Sequence, residues 1–331
     1  MSDASEPMPR PPKQPPVDGL LVINKPSGRT SHDVVEFVRQ LAGFRGIGHL
    51  GTLDPIATGV LVLALGKATR LARFYNGRCK RYTCAMRFGF ETDTYDADGE
   101  PLGPDAAPAL DADQLAKFAA EFVGKIQQTP PAFSAKKIAG TRAHELARKN
   151  KPVNLEPVEV EVFEFRLNSV EGSTAHFTVE CGSGTYIRSL AFDMGRKQGT
   201  GAHLAAIERT AVGEFTLDQA ISVEELEQDA RAGKFADRVI RVESLLGDLP
   251  STTVLPVIEK RVKHGAKFNL QLAQIQPGRP SLAEGVTSQL DSGEWKPSRL
   301  RVFNQAGQLI AIAEPVVPRT YQPVLVLDTS A

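Results

Sequence analysis

The chain has 331 residues, of which 41% are hydrophobic and 24% charged, and its 39 basic and 39 acidic residues cancel to a net charge of zero. This is an ordinary globular composition, long enough for one large domain and a smaller one. No apolar run approaches the ~20 residues that span a bilayer, so no membrane span is expected. Three cysteines without a CxxC pair argue against a disulfide framework or a zinc ribbon, and we expect a cytoplasmic protein.

Helices and strands are predicted along most of the chain after a proline-rich leader at residues 1–17, which we expect to be disordered. Apolar residues at helical spacing predict helices at 30–43, 113–124, 142–149, 222–233 and from 186 onward. Alternating apolar residues predict strands within 19–28, at 82–88 and on both sides of a turn at 171–172. The segment 58–73 is predicted to be buried, but its periodicity does not distinguish a strand from a helix.

The pattern changes near residues 248–252. A short helix ends at Gly265, a hairpin turns at 304–307, and a last strand follows in the stretch YQPVLVL. These elements predict a small β-rich module of a size that can fold alone.

Basic residues are concentrated in two windows although the net charge is zero. No acid lies between Asp54 and Glu91, and the window 134–155 contains one acid, Glu145. One such window is typical of a solvated basic face. Two of them, one beside an isolated carboxylate, favour binding of RNA or phosphate, because phosphate contacts are local.

An acidic block at 91–113 contains a sequence similar to a calcium-binding loop. Thr94 and Asp105 would occupy the first and twelfth positions of that loop, where Asp and Glu are expected, so we reject calcium. We interpret the block as a polar loop that orders neighbouring basic residues. The chain also lacks a P-loop, a GxGxxG motif and zinc-ligand spacing, so no metal or nucleotide cofactor is predicted.

One carboxylate, Asp54, stands in the glycine-rich stretch GHLGTLDP, which we predict to be a loop at 48–55. An aspartate before proline is most often a turn residue that bonds its own backbone. Here Gly48 and Gly51 allow a ligand to approach the backbone, and His49 lies beside them, which favours an active role. Tyrosines next to basic residues, in KRY and GTYIR, are typical core residues that also serve as platforms for nucleobases.

Six stretches, in order, resemble the TruB family, the bacterial tRNA pseudouridine synthases that act on the T-loop uridine at position 55. They are GLLVINKPSGRTSHDVV, GHLGTLDPIATGVLVLALGKATR, KRYTCAMRFGFETDTYDADG, PPAFSAKKIAGTRAHELAR, CGSGTYIRSLAFDMG and GAHLAAIERTAVGEF, and they cover residues 19–215. The tail, with RVFNQAGQLIAIAE, resembles RNA-binding domains of the pseudouridine synthase and archaeosine transglycosylase (PUA) type.

The resemblance implies a role for individual residues. Asp54 would be the catalytic aspartate, with Arg188 as its ion-pair partner. His49 would insert into the T loop where the target base leaves, and Tyr82 would stack on the flipped uracil. Tyr186 would contact the target nucleotide, and Ile207 would contact its base. Lys25 and Pro26 would line the cleft. A thumb insertion at about 129–152, with Lys136 and Arg142, would clamp the RNA.

The resemblance also implies an α+β (mixed α/β) fold. A long bent, mostly antiparallel sheet flanked by helices would have the active cleft across its middle, and a small β-rich PUA-like domain would follow. The predicted division is a leader at 1–17, a catalytic domain at 18–248 and an RNA-binding domain at 249–331. The expected partner is the T-stem-loop of tRNA, and a monomer is expected.

Isomerisation of uridine to pseudouridine uses one carboxylate and no redox change or energy input, which agrees with a lone Asp54 and the missing cofactor motifs. Two other interpretations remain open. A non-catalytic protein would bind or fold tRNA with the same loops. A glycosidase-like hydrolase with an aspartate nucleophile would release free uracil.

Overall fold

The computed structural model describes residues 17–134, 136–138, 141–142, 155–279 and 299–327. The leader predicted at 1–17 lies outside this set except for its last residue, as does much of the thumb predicted at 129–152. In the part of the chain that is described, no helix has the length and apolar character needed to cross a membrane.

The helices and strands of the described residues are as follows. The helices are α1 (Ser31–Ala42), α2 (Ala72–Tyr75), α3 (Ala112–Glu121), α4 (Ile187–Gln198), α5 (Val223–Arg231) and α6 (Pro256–Lys263). The strands are β1 (Gly19–Lys25), β2 (Ile47–His49), β3 (Thr58–Leu65), β4 (Lys80–Phe88), β5 (Gly124–Gln128), β6 (Lys137–Ile138), β7 (Thr141–Arg142), β8 (Val158–Glu171), β9 (Thr174–Cys181), β10 (Ala202–Val212), β11 (Phe215–Thr216), β12 (Ile221–Ser222), β13 (Ile240–Arg241), β14 (Ser251–Thr253), β15 (Phe268–Asn269), β16 (Leu300–Phe303), β17 (Leu309–Val317) and β18 (Thr320–Val326).

The large sheet has the strand order β12-β1-β3-β10-β4-β9-β8-β5, with β2, β11 and β13 paired at its margins. Most neighbours in this sheet are antiparallel, and the exceptions among its described strands are β1 with β12 and β3 with β10. The parallel pairing of β3 with β10 joins only two residue pairs, Thr58 with Glu208 and Gly59 with Arg209. This short contact connects the two halves of the sheet.

Apolar residues cover both faces of this sheet. On one face, α1, α3, α4 and α5 pack on side chains such as Leu61, Leu63 and Phe177, which are fully buried. On the other face, Leu20 and Val62 pack against α2 and other segments that follow the strands. A strand buried on both faces is rich in apolar residues throughout, and β3, with the sequence TGVLVLAL, has that pattern.

The C-terminal residues form a second sheet with the order β14-β16-β17-β18-β15. Its hairpin, β16 to β17, turns at the predicted position, and α6 precedes Gly265 as predicted. Leu309, Ile312 and Leu325 of this sheet belong to the same apolar cluster as Leu20 of the large sheet. The predicted fold class, a mixed α/β sheet domain with a small β-rich C-terminal part, is confirmed.

The helix boundaries follow from local chemistry. Thr30 caps α1 through a capping box with Asp33, and Gly43 ends the helix with a left-handed φ of 74°. Asp111, and not the predicted Asp113, caps α3, because its side chain accepts from two backbone N–H groups of the first turn. The helix ends at Glu121, and residue 124, predicted near its end, begins β5.

Three other predictions need correction. The segment 58–73 is a strand, a 3₁₀ turn (Gly66–Leu71) and the beginning of α2, so both alternatives were partly right. The helix predicted at 142–149 does not begin at Arg142, which lies in β7 and pairs with Lys137. Residues 143–149 lie outside the described residues. The loop predicted at 48–55 contains the end of β2, because Gly48 and His49 pair with β3.

Replacement of Leu61 by alanine is expected to lower the free energy of unfolding by about 2–5 kcal/mol, because this side chain is fully buried at the centre of β3. Urea unfolding monitored by circular dichroism measures the change. Leu102→Ala is the control, since Leu102 is 62% exposed and should change stability by no more than about 0.5 kcal/mol. Equal effects of the two variants would show that the core was wrongly assigned.

Candidate active site

Asp54 lies in the turn between β2 and β3, and local hydrogen bonds fix that turn. The Ser31 hydroxyl at the start of α1 accepts from the N–H of Leu53 at 2.8 Å and donates to its carbonyl at 3.0 Å. The N–H of Ala57 donates to the Asp54 carbonyl at 3.1 Å. The Asp54 side chain is still 42% exposed. The carboxylate is therefore held by its backbone and open to solvent on one side.

Arg188, the second residue of α4, forms an ion pair with Asp54, with 2.9 Å between Nε and Oδ2. Its Nη1 lies 3.3 Å from Oδ2 of Asp96, and its guanidinium donates to the carbonyls of Thr94 at 3.1 Å and Phe133 at 2.9 Å. Arg188 is only 6% exposed. One buried cation thus joins two carboxylates, and the ion pair that the resemblance implies is present.

Asp96 is held in place by a tight loop of the acidic block. Its Oδ1 accepts from the Thr94 hydroxyl at 2.6 Å and from the Asp98 N–H at 3.2 Å. The residue before it, Tyr95, has a φ of 66°, which non-glycine residues seldom adopt, and its ring stacks on Phe192 of α4 with centroids 3.9 Å apart. The block therefore orders a basic residue, Arg188, as the sequence indicated.

The ionisation of Asp54 depends on opposing effects. Burial raises the pKa of Asp54 above its ordinary value of 3.8, because protein surrounds the carboxylate on all but its open side. The positive charge of Arg188 lowers this pKa, the negative charge of Asp96 raises it, and the charge of Lys25 lowers it. Arg188 is thus the group that most favours the ionised form.

Lys25, at the end of β1, is fully buried. Its ammonium donates to the carbonyls of Pro26 at 2.8 Å, Arg29 at 2.6 Å and Pro55 at 3.3 Å. Burial lowers its pKa from 10.5 to about 8, while Asp54 acts in the opposite direction. Lys25 therefore ties the segment after β1, including the half-buried Pro26, to the turn that carries Asp54.

Tyr82 and Arg209 face each other across β4 and β10, where they form a register pair. Tyr82 is 7% exposed and packs in the apolar core below Asp54, and burial raises its pKa to about 12. Arg209 interacts with the Tyr82 side chain and with the Asp54 charge. Tyr82 is therefore a fixed aromatic side chain at the base of the site, and most of its surface is covered.

Tyr186 caps the N-terminal end of α4, two residues before Arg188. Its backbone is clamped by the amide of Gln128 from β5, which accepts from the Tyr186 N–H at 2.8 Å and donates to its carbonyl at 3.1 Å. Burial raises the pKa of the half-buried Tyr186 hydroxyl. The clamp fixes the direction in which Arg188 enters the site.

His49 and Ile207 are the remaining predicted residues of the site, on β2 and β10. His49, at the end of β2, is half-buried, and burial and the nearby Arg209 lower its pKa, so its ring is neutral at neutral pH. Ile207 is half-buried on β10, two residues before Arg209. A groove of about 470 Å³ lies beside Ile207, lined also by Ile56 and Thr58; it adjoins the turn but does not include Asp54 in its lining.

The two predicted thumb residues are not brought to this cluster by any described contact. Lys136 is a half-buried loop residue, and Arg142 lies in β7, which pairs with β6. The side chain of Arg142 lies outside what the structure describes. Their roles remain predictions.

Sequence reasoning missed three residues of the site: Asp96, Gln128 and Arg209. The signal for Asp96 was the acidic block itself, which was expected to order basic residues without a specific partner. Arg209 had no such signal, because its role depends on which strands lie beside β10. Nothing in the sequence around Gln128 distinguishes it from a surface residue of β5.

Known proteins similar to this chain decide its family. Residues 39–187 match the model described as TruB family pseudouridylate synthase, N-terminal domain, and residues 188–246 match that described as tRNA pseudouridylate synthase B C-terminal domain. The chain belongs to the TruB family of pseudouridylate synthases. It is therefore an enzyme of the isomerase class, and the prediction of family and class is confirmed.

Relatives of this TruB family member match over most of its length. The tRNA pseudouridine synthase B of Solibacter usitatus is 42% identical and covers 94% of this chain and 100% of its own. That of Aquifex aeolicus is 43% identical, covering 71% of this chain and 81% of its own, and that of Geobacter sulfurreducens is 37% identical, covering 90% and 93%.

A solved structure with the same fold is the crystal structure of a Cbf5–Nop10–Gar1 complex. It aligns with a TM-score of 0.66 at 24% identity and covers 94% of this chain and 85% of that one. This likeness shows the fold, which for this TruB family member extends into the C-terminal sheet.

The acid-free window of the sequence is not free of acids in space. Arg78 pairs with Asp248, with two contacts of 2.7 Å, and Arg81 pairs with Glu180. Arg87 pairs with Asp105 at 2.6 Å. Much of the predicted RNA-facing charge is therefore neutralised within the fold.

Replacement of Arg188 by glutamine is expected to raise the pKa of Asp54 further above 3.8, because burial and Asp96 remain while the main opposing charge is lost. Carboxyl ¹³C NMR titration of the aspartates measures the change. Lys197→Gln on the same helix is the control, because Lys197 pairs with Glu121 and not with Asp54. A pKa of Asp54 that stays the same or falls in Arg188→Gln would contradict the assigned electrostatics.

Proposed function

We propose that this enzyme converts uridine to pseudouridine at position 55 in the T loop of tRNA. The observation that carries the proposal is the ion pair of Arg188 with Asp54, because it places a partly exposed carboxylate beside a buried cation in the turn that precedes β3. The relatives described above are named tRNA pseudouridine synthase B, which supports tRNA as the substrate.

The reaction breaks the bond between N1 of uracil and C1′ of the ribose, rotates the base and joins C5 to C1′. The proton on C5 is lost and N1 gains one, so the product is an isomer of the substrate. Asp54 acts as a nucleophile at C1′ or as a base that removes a ribose proton. In both routes its charge stabilises the electron-poor ribose that develops as the base departs.

Arg188 contributes by keeping Asp54 ionised and directed. An arginine stays charged at any working pH, and its planar group meets two carboxylates and two carbonyls at once. Because Asp96 shares the cation, Arg188 stays oriented when Asp54 changes its charge or bonding during the reaction. The network provides the pre-organised electrostatics that catalysis requires.

The surrounding side chains suit an unstacked base. A uridine must leave the T loop before its C1′ can reach Asp54. A neutral His49 ring can enter the space that the base leaves, while Tyr82 offers an aromatic face and Ile207 an apolar edge. We assign contact with the target nucleotide to Tyr186, whose hydroxyl interacts with Ser134.

The wider interface is proposed from charge and position. We assign Lys136 and Arg142 to a thumb that grips the T-stem-loop, and the C-terminal sheet to a further RNA contact. We retain a division at residue 248, action as a monomer, a cytoplasmic location and a reaction without a cofactor as parts of the proposal.

Asp54→Asn is expected to abolish pseudouridine formation and to leave tRNA binding within about threefold, because the amide keeps the shape and loses the charge. Position-resolved pseudouridine mapping of an unmodified tRNA transcript, with a binding assay, measures both. Asp113→Asn, an exposed acid on α3, is the matched control. A transcript with cytidine at position 55 should give no product. An active Asp54→Asn enzyme would refute the role of Asp54.

The same assay separates the two alternatives. Tight binding by the wild type without conversion would indicate an RNA-binding or RNA-folding protein. Release of free uracil would indicate a glycosidase-like hydrolase. Conversion at another position only would retain the chemistry and refute the T-loop assignment.

A further inference from the structure

Arg209 is the largest fully buried side chain of the described residues, with 1% of it exposed. It comes from the middle of β10, at the short parallel contact with β3. A buried cation costs free energy unless its hydrogen-bonding groups are satisfied. The partners of Arg209 show what this charge is used for.

The guanidinium of Arg209 binds three carbonyls in two different segments. Nε donates to Val60 of β3 at 2.8 Å, Nη1 to Thr52 at 3.2 Å, and Nη2 to Gly51 at 3.1 Å. Thr52 and Gly51 lie two and three residues before Asp54, inside the same turn. The planar guanidinium of Arg209 therefore attaches the turn that carries Asp54 to the central strand β3.

The same side chain also meets the floor of the site. Arg209 stands opposite Tyr82 in the pairing of β10 with β4, and the two side chains interact. Its backbone is equally fixed, because a Cβ on Gly59 would lie 2.3 Å from the Arg209 carbonyl. Only glycine allows β3 to approach β10 this closely.

We infer that Arg209 is a positioning residue that holds the Asp54 turn in a set place relative to Tyr82. It touches neither substrate nor reacting atoms, and it acts through the Gly51 and Thr52 carbonyls. This inference rests on the proposed function, since it assigns a purpose to the turn and to Tyr82 in that reaction. Neither the ion pair with Arg188 nor the bonds of Lys25 supply this link, because they hold the carboxylate and the far side of the turn.

Arg209→Lys tests the inference, because lysine keeps the charge and loses the fork that reaches three carbonyls. We expect the single-turnover rate at saturating T-stem-loop RNA to fall about 100-fold, as for a misplacement of about 1 Å, while Kd stays within about threefold. Arg238→Lys is the matched control: Arg238 is a half-exposed arginine that pairs with Asp229. Its rate should equal that of the wild type.

Hydrogen exchange provides a readout that does not depend on activity. In Arg209→Lys the peptide covering residues 48–54 should exchange faster, while peptides of α5 and β17 keep their wild-type rates. A uniform increase over all peptides would show general destabilisation and would overturn the inference. So would a wild-type turnover rate in Arg209→Lys, or a loss of RNA binding that accounts for the whole defect.

A double variant tests the connection to Tyr82. If Arg209 works partly by holding Tyr82, Arg209→Lys combined with Tyr82→Phe loses less than the product of the two single effects. If the loss of rate in the double variant equals the product of the two single losses, Arg209 does not act through Tyr82, and the inference holds for the Asp54 turn only. If the wild type forms no pseudouridine, the proposed function fails. If the wild type is active and Arg209→Lys has the same rate, only the inference about Arg209 fails.

Discussion

The ion pair between Arg188 and Asp54 is the interaction on which the rest of the site depends. It joins the first turn of α4 to the turn between β2 and β3, two segments far apart in the sequence. Other contacts hold each partner in place. Arg188 binds Asp96 and two carbonyls, and hydrogen bonds from Ser31, Lys25 and Arg209 hold the Asp54 turn. Without the cation, burial would favour a neutral carboxyl group, which is a poor nucleophile, a poor base and a poor stabiliser of positive charge.

The position of this pair follows from the architecture of the sheet. Among the described residues, the two halves of the sheet are paired through the short contact of β3 with β10. A side chain placed there is near the turn that precedes β3, near the neighbouring strand β4 and near the helix α4 that precedes β10. The site therefore draws on several strands and on α4 while each contributes only one or two residues, and helices pack against one face of the sheet that carries them.

Much of this could be predicted from the sequence, because local signals were strong. Asp54 stood out as a lone acid among glycines, and the caps of α1 and the turn of the C-terminal hairpin had the residues those structures require. Arg209 could not be found in this way, because its role depends on strand register, which no short motif encodes. The ion pairs of the acid-free window could not be predicted for a related reason: Arg78 pairs with an acid 170 residues away, Asp248, and a linear count of charge cannot show that pairing.

The apolar cluster shared by the two sheets links the C-terminal strands to the scaffold of the site. Leu309, Ile312 and Leu325 belong to the same apolar cluster as Leu20 of β1 and Val62 of β3. Proteolytic loss of these strands would expose apolar side chains of the large sheet, among them Leu20 and Val62. Because newly exposed apolar surface favours aggregation, we expect the C-terminal strands to contribute to the solubility of the whole chain as well as to its packing.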